Sequence, residues 1–310
     1  MSYTLNNSGA WQELPDGGRH WRLKVNMQGA LSTNTYYDRF WLPTGAKFFV
    51  YSEETGQTIG AITSEFIEGS KEKPVEFATS LIYGENVVYE YYQPASVRES
   101  AVISISRIDY GYRLINNPYQ ESLRNFGDAP ACHININHPD GKIWQQKEKH
   151  AIARVSISSP NGSWWCFCAL INNTRNNFTP YVLTANHCLS GLDAMGNTNA
   201  SQWVFYWEYE HPGCKNLSSE PSLVSTVGAS VRANNEVTDF ALLQLTQDPC
   251  NNSLALPYYL GLDRSTSPPQ TAVGIHHPKG DVKKISFVNQ VVSSGLISWN
   301  DNTISLPNTH

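Results

Sequence analysis

The sequence predicts an all-β chain of two units, and three observations lead to this prediction. Charged residues make up only 16% of the 310 residues, against about 25% in an average soluble domain, and turn-forming Asn, Ser, Thr and Gly take their place. Short segments with alternating apolar and polar residues recur along the chain. All six cysteines lie between Cys132 and Cys250, so the second unit has a framework of its own and the first depends on packing.

The first unit, residues 1–113, is predicted to be a β-sandwich because its strands are short and regularly spaced. The predicted strands cover residues 21–27, 47–51, 58–62, 81–83, 87–92 and 101–106. The cluster of Tyr89, Tyr91 and Tyr92 is interpreted as the packed aromatic face of a strand rather than as a surface that stacks a ligand.

Residues 114–131 are predicted to be a linker, since they carry two prolines and a Gly-Asp pair without a sustained period. The β patterns resume in the second unit, residues 132–310. The predicted strands of this unit cover residues 151–157, 166–171, 181–184, 203–207 and 240–245. One short helix is predicted over residues 188–194, directly after the strand that ends at Thr184.

The composition argues against several classes of function. The formal net charge is −5 and no basic block is present, which argues against nucleic acid and anionic membranes as partners. No run approaches the ~18 apolar residues that a membrane span needs, and the first residues show no signal peptide. The cysteines lack zinc-site spacing, so they are interpreted as disulfide-forming in an oxidising compartment.

A candidate general base lies in the segment Leu183-Thr-Ala-Asn-His-Cys188, which places His187 at a corner between a strand and a helix. Cys188 can be cross-linked to Cys166 on the preceding hairpin strand. That disulfide would close a loop of about 22 residues, worth about 3 kcal/mol in the chain-entropy model. It would also fix His187, and a general base needs a fixed position within hydrogen-bond reach of its proton donor.

A candidate partner for this base is Asp239, which heads the apolar strand Phe240–Leu245, 52 residues (239 − 187) after His187. A buried carboxylate there can accept the imidazole Nδ1–H, fix the tautomer and stabilise the imidazolium. Taken singly, each pattern has a structural explanation: a packed histidine beside a cysteine, and an aspartate that caps a turn. Their combination favours catalysis.

The combined segments resemble the trypsin-like serine peptidases, and more closely the lysyl endopeptidase-like branch secreted by bacteria. The matching landmarks are residues 131–137, 170–174, 183–188, 238–243 and 274–281. The resemblance covers about residues 130–310 and extends more weakly to 10–113, which resembles a propeptide or accessory domain. It implies a trypsin-like double β-barrel, with His187 as the general base and Asp239 as the orienting carboxylate.

The chain departs from this family at the nucleophile, because no Gly-(Asp/Ser)-Ser-Gly segment follows Asp239. In trypsin-like enzymes the serine follows the aspartate by about 93 residues, and only 71 residues (310 − 239) follow here. Ser294, in Val292-Ser-Ser-Gly-Leu296, lacks the preceding glycine and the following small residues of a nucleophile turn, so we do not assign it this role. The resemblance therefore predicts a truncated fragment whose first barrel is complete and whose second barrel is not.

The cysteine pattern departs as well. The branch has a second cysteine six residues after Cys132, where this chain has His138. Cys214 thus lacks its usual partner and is expected either to pair with Cys250 or to stay free. Cys168 occupies a position where the family has glycine, and Cys132 is expected to be unpaired.

The resemblance implies a secreted, monomeric serine endopeptidase that acts on protein or peptide substrates through an acyl-enzyme, without a cofactor or metal. Lysine preference would follow from family analogy alone. His276, His277 and Asp281 are interpreted as a turn at a barrel edge rather than as metal ligands. Two alternatives remain open: a protease-like binding or adhesin module without a nucleophile, and an inhibitory role for residues 1–113 alone.

Overall fold

The computed structural model divides the chain into two compact units, Met1–Asn125 and Phe126–His310. It describes residues 2–111, 129–130, 132–159, 162–190, 199–216, 221–251, 255–265, 267–292, and the backbone of 296–299 and 302–305. The predicted linker, residues 114–131, falls mostly outside the described residues. Within the described part of the chain, no helix is long and apolar enough to cross a membrane.

The first unit is built from two five-stranded antiparallel sheets. Its strands are β1 Tyr3–Thr4, β2 Ala10–Glu13, β3 Arg19–Asn26, β4 Ser32–Trp41, β5 Lys47–Tyr51, β6 Thr58–Ile62, β7 Val75–Ala78, β8 Ile82–Tyr83, β9 Asn86–Gln93 and β10 Val102–Gly111. One sheet has the order β1-β10-β4-β7, with β8 also paired to β4, and the other has the order β2-β3-β9-β5-β6.

Aromatic side chains fill the space between the two sheets of the first unit. Phe40 on β4 and Phe48 on β5 belong to different sheets, and their ring centroids lie 5.4 Å apart. Tyr89 and Tyr91 on β9 are also buried, whereas Tyr92 points to the opposite, partly exposed face. The interpretation of one packed tyrosine face thus holds for two of the three residues, because neighbouring side chains on a strand alternate between faces.

The second unit contains a long curled sheet and a smaller sheet. Its strands are β11 Ile134–Asn135, β12 Ile152–Ser159, β13 Gly162–Ile171, β14 Tyr181–Thr184, β15 Val204–Trp207, β16 Val224–Val227, β17 Ala229–Asn235, β18 Phe240–Leu245, β19 Ala272–His276, β20 Lys284–Val288, β21 Leu296–Trp299 and β22 Asn302–Ser305. A short helix, α1, covers His187–Ser190.

The seven-stranded sheet has the order β16-β15-β12-β13-β14-β18-β17, and β11, β20 and β19 form a separate three-stranded sheet. Apolar side chains from across the long sheet meet in one core, among them Val224 on β16, Leu170 on β13 and Ala229 on β17. A sheet whose distant strands share a core must curl, so this sheet forms a half-barrel. The predicted all-β class is confirmed, and the half-barrel is consistent with a trypsin-like fold. The complete first barrel and the truncated second barrel stay predictions.

A network of buried charges lies inside the second unit. Glu210 accepts from Lys149 Nζ at 2.5 Å and lies 3.1 Å from Lys283 Nζ, while Asn137 Nδ2 donates to it at 3.1 Å. Burial alone would raise the pKa of Glu210. The two lysines and the asparagine outweigh burial and lower this pKa to about 2.

We expect this network to make stability depend on pH. Because the pKa of Glu210 is lowered, its contribution to the free energy of unfolding is complete above about pH 4.5 and is lost as the pH falls towards 2. Urea unfolding of the wild type and of Glu210→Gln at pH 7 and pH 3 should show a difference of about 3 kcal/mol at pH 7 that shrinks at pH 3. The exposed Glu236→Gln serves as the matched control. Equal pH dependence in the wild type and Glu210→Gln would contradict this assignment.

Candidate active site

The pairing of β14 with β18 brings the two predicted residues together. Thr184, the last residue of β14, pairs with Ala241 near the start of β18. His187 follows Thr184 by three residues and opens α1, and Asp239 directly precedes β18. The antiparallel register therefore places His187 and Asp239 at the same end of the two strands.

Asp239 contacts His187 through both carboxylate oxygens. Oδ1 accepts from the backbone N–H of His187 at 2.8 Å, and Oδ2 lies 2.8 Å from its Nδ1. Asp239 has a φ of 50°, in the left-handed region that aspartate tolerates better than most residues because its short polar side chain can bond locally. The Asp239 side chain is 28% exposed, so the expectation of a buried carboxylate was wrong.

This arrangement sets the chemistry of the imidazole. An ionised carboxylate can only accept hydrogen bonds, so the proton of a neutral His187 lies on Nδ1 and the lone pair on Nε2. Nε2 is then the nitrogen that can take a proton, and the carboxylate stabilises the cation that results. The pair can therefore serve as a general base with a fixed tautomer.

Two asparagines that the sequence analysis did not single out hold the corner. The backbone N–H of Asn186 donates to the Asp239 carbonyl oxygen at 3.1 Å. The buried side-chain oxygen of Asn186 accepts from Asn234 Nδ2 on β17 at 2.7 Å. The sequence places Asn186 immediately before His187, which could have marked it as part of the site. Its partner Asn234 is 48 residues away, so their contact could not be predicted.

A disulfide joins Cys166 on β13 to Cys188 in α1, with Cα atoms 6.8 Å apart. Beside it, Thr184 Oγ1 donates to the carbonyl oxygen of Phe167 at 2.8 Å. The residue after His187 is thereby linked covalently to the neighbouring strand, and the end of β14 is tied to that strand by a hydrogen bond.

The other four cysteines carry no disulfide, so Cys214 and Cys250 are not paired with each other. Cys132, Cys214 and Cys250 are exposed. Cys168 is buried in the core of the curled sheet, and burial raises its pKa well above the usual range of a thiol. A buried neutral thiol of this kind is a structural residue rather than a nucleophile.

Among the described residues, one group brings three potential metal ligands together, namely Cys166, His187 and Cys188. The Sγ atoms of Cys166 and Cys188 are joined in the disulfide, so they are not thiolate ligands. His277 and Asp281 flank the turn at Pro278–Gly280, as predicted, and His277 Nδ1 lies 2.8 Å from the Asp281 backbone carbonyl oxygen. Burial and Lys283 lower the pKa of His277.

The comparisons with known proteins agree with the predicted family. Residues 126–306 match the family model of the lysyl endopeptidase C-terminal domain. The match covers more than half of the chain, and the chain belongs to this family. A lysyl endopeptidase of Pseudomonas aeruginosa is 24% identical over 308 residues, which is 94% of this chain and 62% of that protein. Ser294, which we did not assign as the nucleophile, lies outside the described residues.

We expect the disulfide to stabilise the second unit. A Cys166→Ser/Cys188→Ser double variant should lower its free energy of unfolding by about 3 kcal/mol, because the loop of 22 residues becomes free in the unfolded chain. Urea unfolding without reductant measures the loss, and Cys250→Ser, at an exposed position, should cause none. Non-reducing peptide mapping that finds Cys168 joined to Cys188 would overturn this pairing.

Proposed function

We propose that this chain is part of a secreted serine endopeptidase in which His187 is the general base and Asp239 the residue that orients it. The observation that supports this proposal is the double contact of Asp239 with the backbone N–H and the Nδ1 of His187. Membership in a family named for an endopeptidase supports the same conclusion.

The proposed reaction transfers an acyl group to serine and then to water. His187 Nε2 takes the hydroxyl proton while the serine oxygen bonds to the peptide carbonyl carbon, and it then returns this proton to the leaving amine as the peptide C–N bond breaks. Water then attacks the acyl-enzyme with His187 again as the base. Asp239 stays ionised and stabilises the imidazolium in both halves.

The proposal requires a serine that residues 1–310 do not supply in recognisable form. They contain no glycine-rich serine segment after Asp239, and such a segment provides both the nucleophile and the backbone donors of an oxyanion hole. The nucleophile would therefore have to come from outside these residues. The chain spans 62% of the length of the Pseudomonas aeruginosa relative. That relative's name makes peptide bonds after lysine the first substrates to test.

The compartment and the role of the first unit are parts of the same proposal. The Cys166–Cys188 disulfide is typical of proteins that fold in an oxidising environment, which supports secretion. The first unit has a core of its own, including Phe40, Phe48 and Tyr89, which a separately folded propeptide or accessory domain would need.

Residues 1–310 alone should not hydrolyse peptide amides or esters above background. Loss of the nucleophile costs on the order of 10⁶ in kcat in a comparable serine protease. Purified protein is assayed with peptide substrates carrying each residue type before the scissile bond, and is then treated with an organophosphate. Stoichiometric labelling of any serine, Ser294 included, would contradict the prediction.

A chain extended by the reading frame downstream of His310 should be active, and Asp239→Asn should then lower kcat by about 10⁴ because the imidazole takes the wrong tautomer. Asparagine tolerates the left-handed backbone of this position, so the variant tests the charge rather than the fold. Asp263→Asn, at an exposed position, is the matched control. Equal activity of the wild type and Asp239→Asn would refute the triad. A stop codon, with peptide binding but no turnover, would favour the binding module.

A further inference from the structure

Two histidines from distant parts of the sequence meet in the second unit. His276 ends β19, and His133 directly precedes β11. His276 Nε2 lies 3.3 Å from His133 Nδ1, with the ring centroids 5.2 Å apart. Both side chains are half-buried. Nε2 of His276 and Nδ1 of His133 therefore face each other.

The three-stranded sheet fixes where these two histidines stand. Its central strand β20 pairs with β11 on one side and with β19 on the other, and Ile285 is opposite Ile134 and Ile275 at once. His133 and His276 are each one residue from this row. His276 is thus held in β19, and His133 directly precedes the paired residues of β11.

The orientation of the His276 ring is fixed by a second contact. Burial and His133 lower the pKa of His276, while a hydrogen bond with the backbone of Gly274 raises it. Since Nε2 faces His133, the nitrogen that donates to Gly274 is Nδ1, and Nε2 carries a lone pair. Histidines that bind metals are typically held in this way, with the second ring N–H donated to a backbone carbonyl or a carboxylate.

The distance between the two nitrogens suits a metal ion. Zinc binds imidazole nitrogen at about 2.0–2.1 Å with tetrahedral angles, which places two such nitrogens about 3.3–3.4 Å apart. The His133–His276 separation is 3.3 Å. Without an ion, the same two nitrogens can form one N–H···N hydrogen bond whose donor depends on the ring tautomers. The spacing therefore also suits two ligands on one ion.

We propose that His133 and His276 bind one Zn²⁺ ion, with water or an added ligand in the other coordination positions. His133 would carry its proton on Nε2, so both facing nitrogens offer lone pairs and no net proton is lost. Neutral imidazoles favour zinc and related transition ions over Mg²⁺ or Ca²⁺. The ring of Phe167 on β13 has its centroid 6.5 Å from the His276 ring, so the proposed ion would lie beside the curled sheet.

The experiment titrates Zn²⁺ into metal-free chain 1–310 by calorimetry, with the chain unchanged and with Cys132, Cys214 and Cys250 replaced by serine. Both proteins should bind one ion, and Zn²⁺ should raise Tm by mass action. His133→Asn and His276→Gln should each weaken binding more than tenfold, at least the effect of losing an outer-shell partner. The asparagine amide can still donate to His276 Nε2, so His133→Asn retains the contact but not the ligand.

The matched control is His138→Asn, because His138 Nδ1 lies 3.3 Å from the Asp140 carboxylate and could itself attract zinc. This variant should bind like the wild type. Absence of one-to-one binding, loss of binding in His138→Asn, or undiminished binding in a folded His133→Asn or His276→Gln variant would each overturn the proposal. Two ligand variants are used because, if one of them fails to fold, the other still tests whether the histidine binds zinc.

Discussion

The contact between Asp239 and the start of α1 is the interaction on which the candidate site depends. One carboxylate oxygen accepts from the backbone N–H of His187, and the other engages the Nδ1 of the same residue. The first bond satisfies a donor at the helix start that the helix itself leaves unpaired, and the second selects the tautomer. A single side chain thereby fixes both the backbone position and the ring of His187. Its own left-handed backbone conformation turns it towards both donors.

The surrounding structure makes this contact rigid from three directions. The pairing of β14 with β18 sets the separation of the two residues, the disulfide at Cys188 anchors the helix to β13, and Asn186 joins the corner to both Asp239 and Asn234. A general base is effective only when it is held within hydrogen-bond reach of the proton that it takes. These contacts are made in the folded chain without substrate, so ordering the proposed base would add little to the cost of the proposed reaction.

The parts of the structure that could be predicted from the sequence are those with a local pattern. The apolar strands around His187, the Cys166–Cys188 pair and the aspartate that precedes β18 all lie in short segments with a clear period or motif. By contrast, β4 and β17 were missed because polar residues occupy them: β4 buries Thr33 and Asn34, and β17 is exposed beyond Ala229. The Asn186–Asn234 bond and the His133–His276 pair were missed for another reason. Each is a side-chain contact, between residues 48 positions apart in the first case and 143 in the second, which no local pattern encodes.

The location of the base within one sheet has a mechanistic consequence. His187, Asp239, Asn186 and the disulfide are held by β13, β14, β17 and β18, which are consecutive in the same seven-stranded sheet. The position of the imidazole relative to its carboxylate therefore follows from the packing of that sheet alone. A nucleophile that approaches from other strands would meet a base whose tautomer is already chosen. In the proposed reaction, proton transfer and nucleophilic attack would thus depend on separate parts of the architecture, and changes in one would alter the rate without disturbing the geometry of the other.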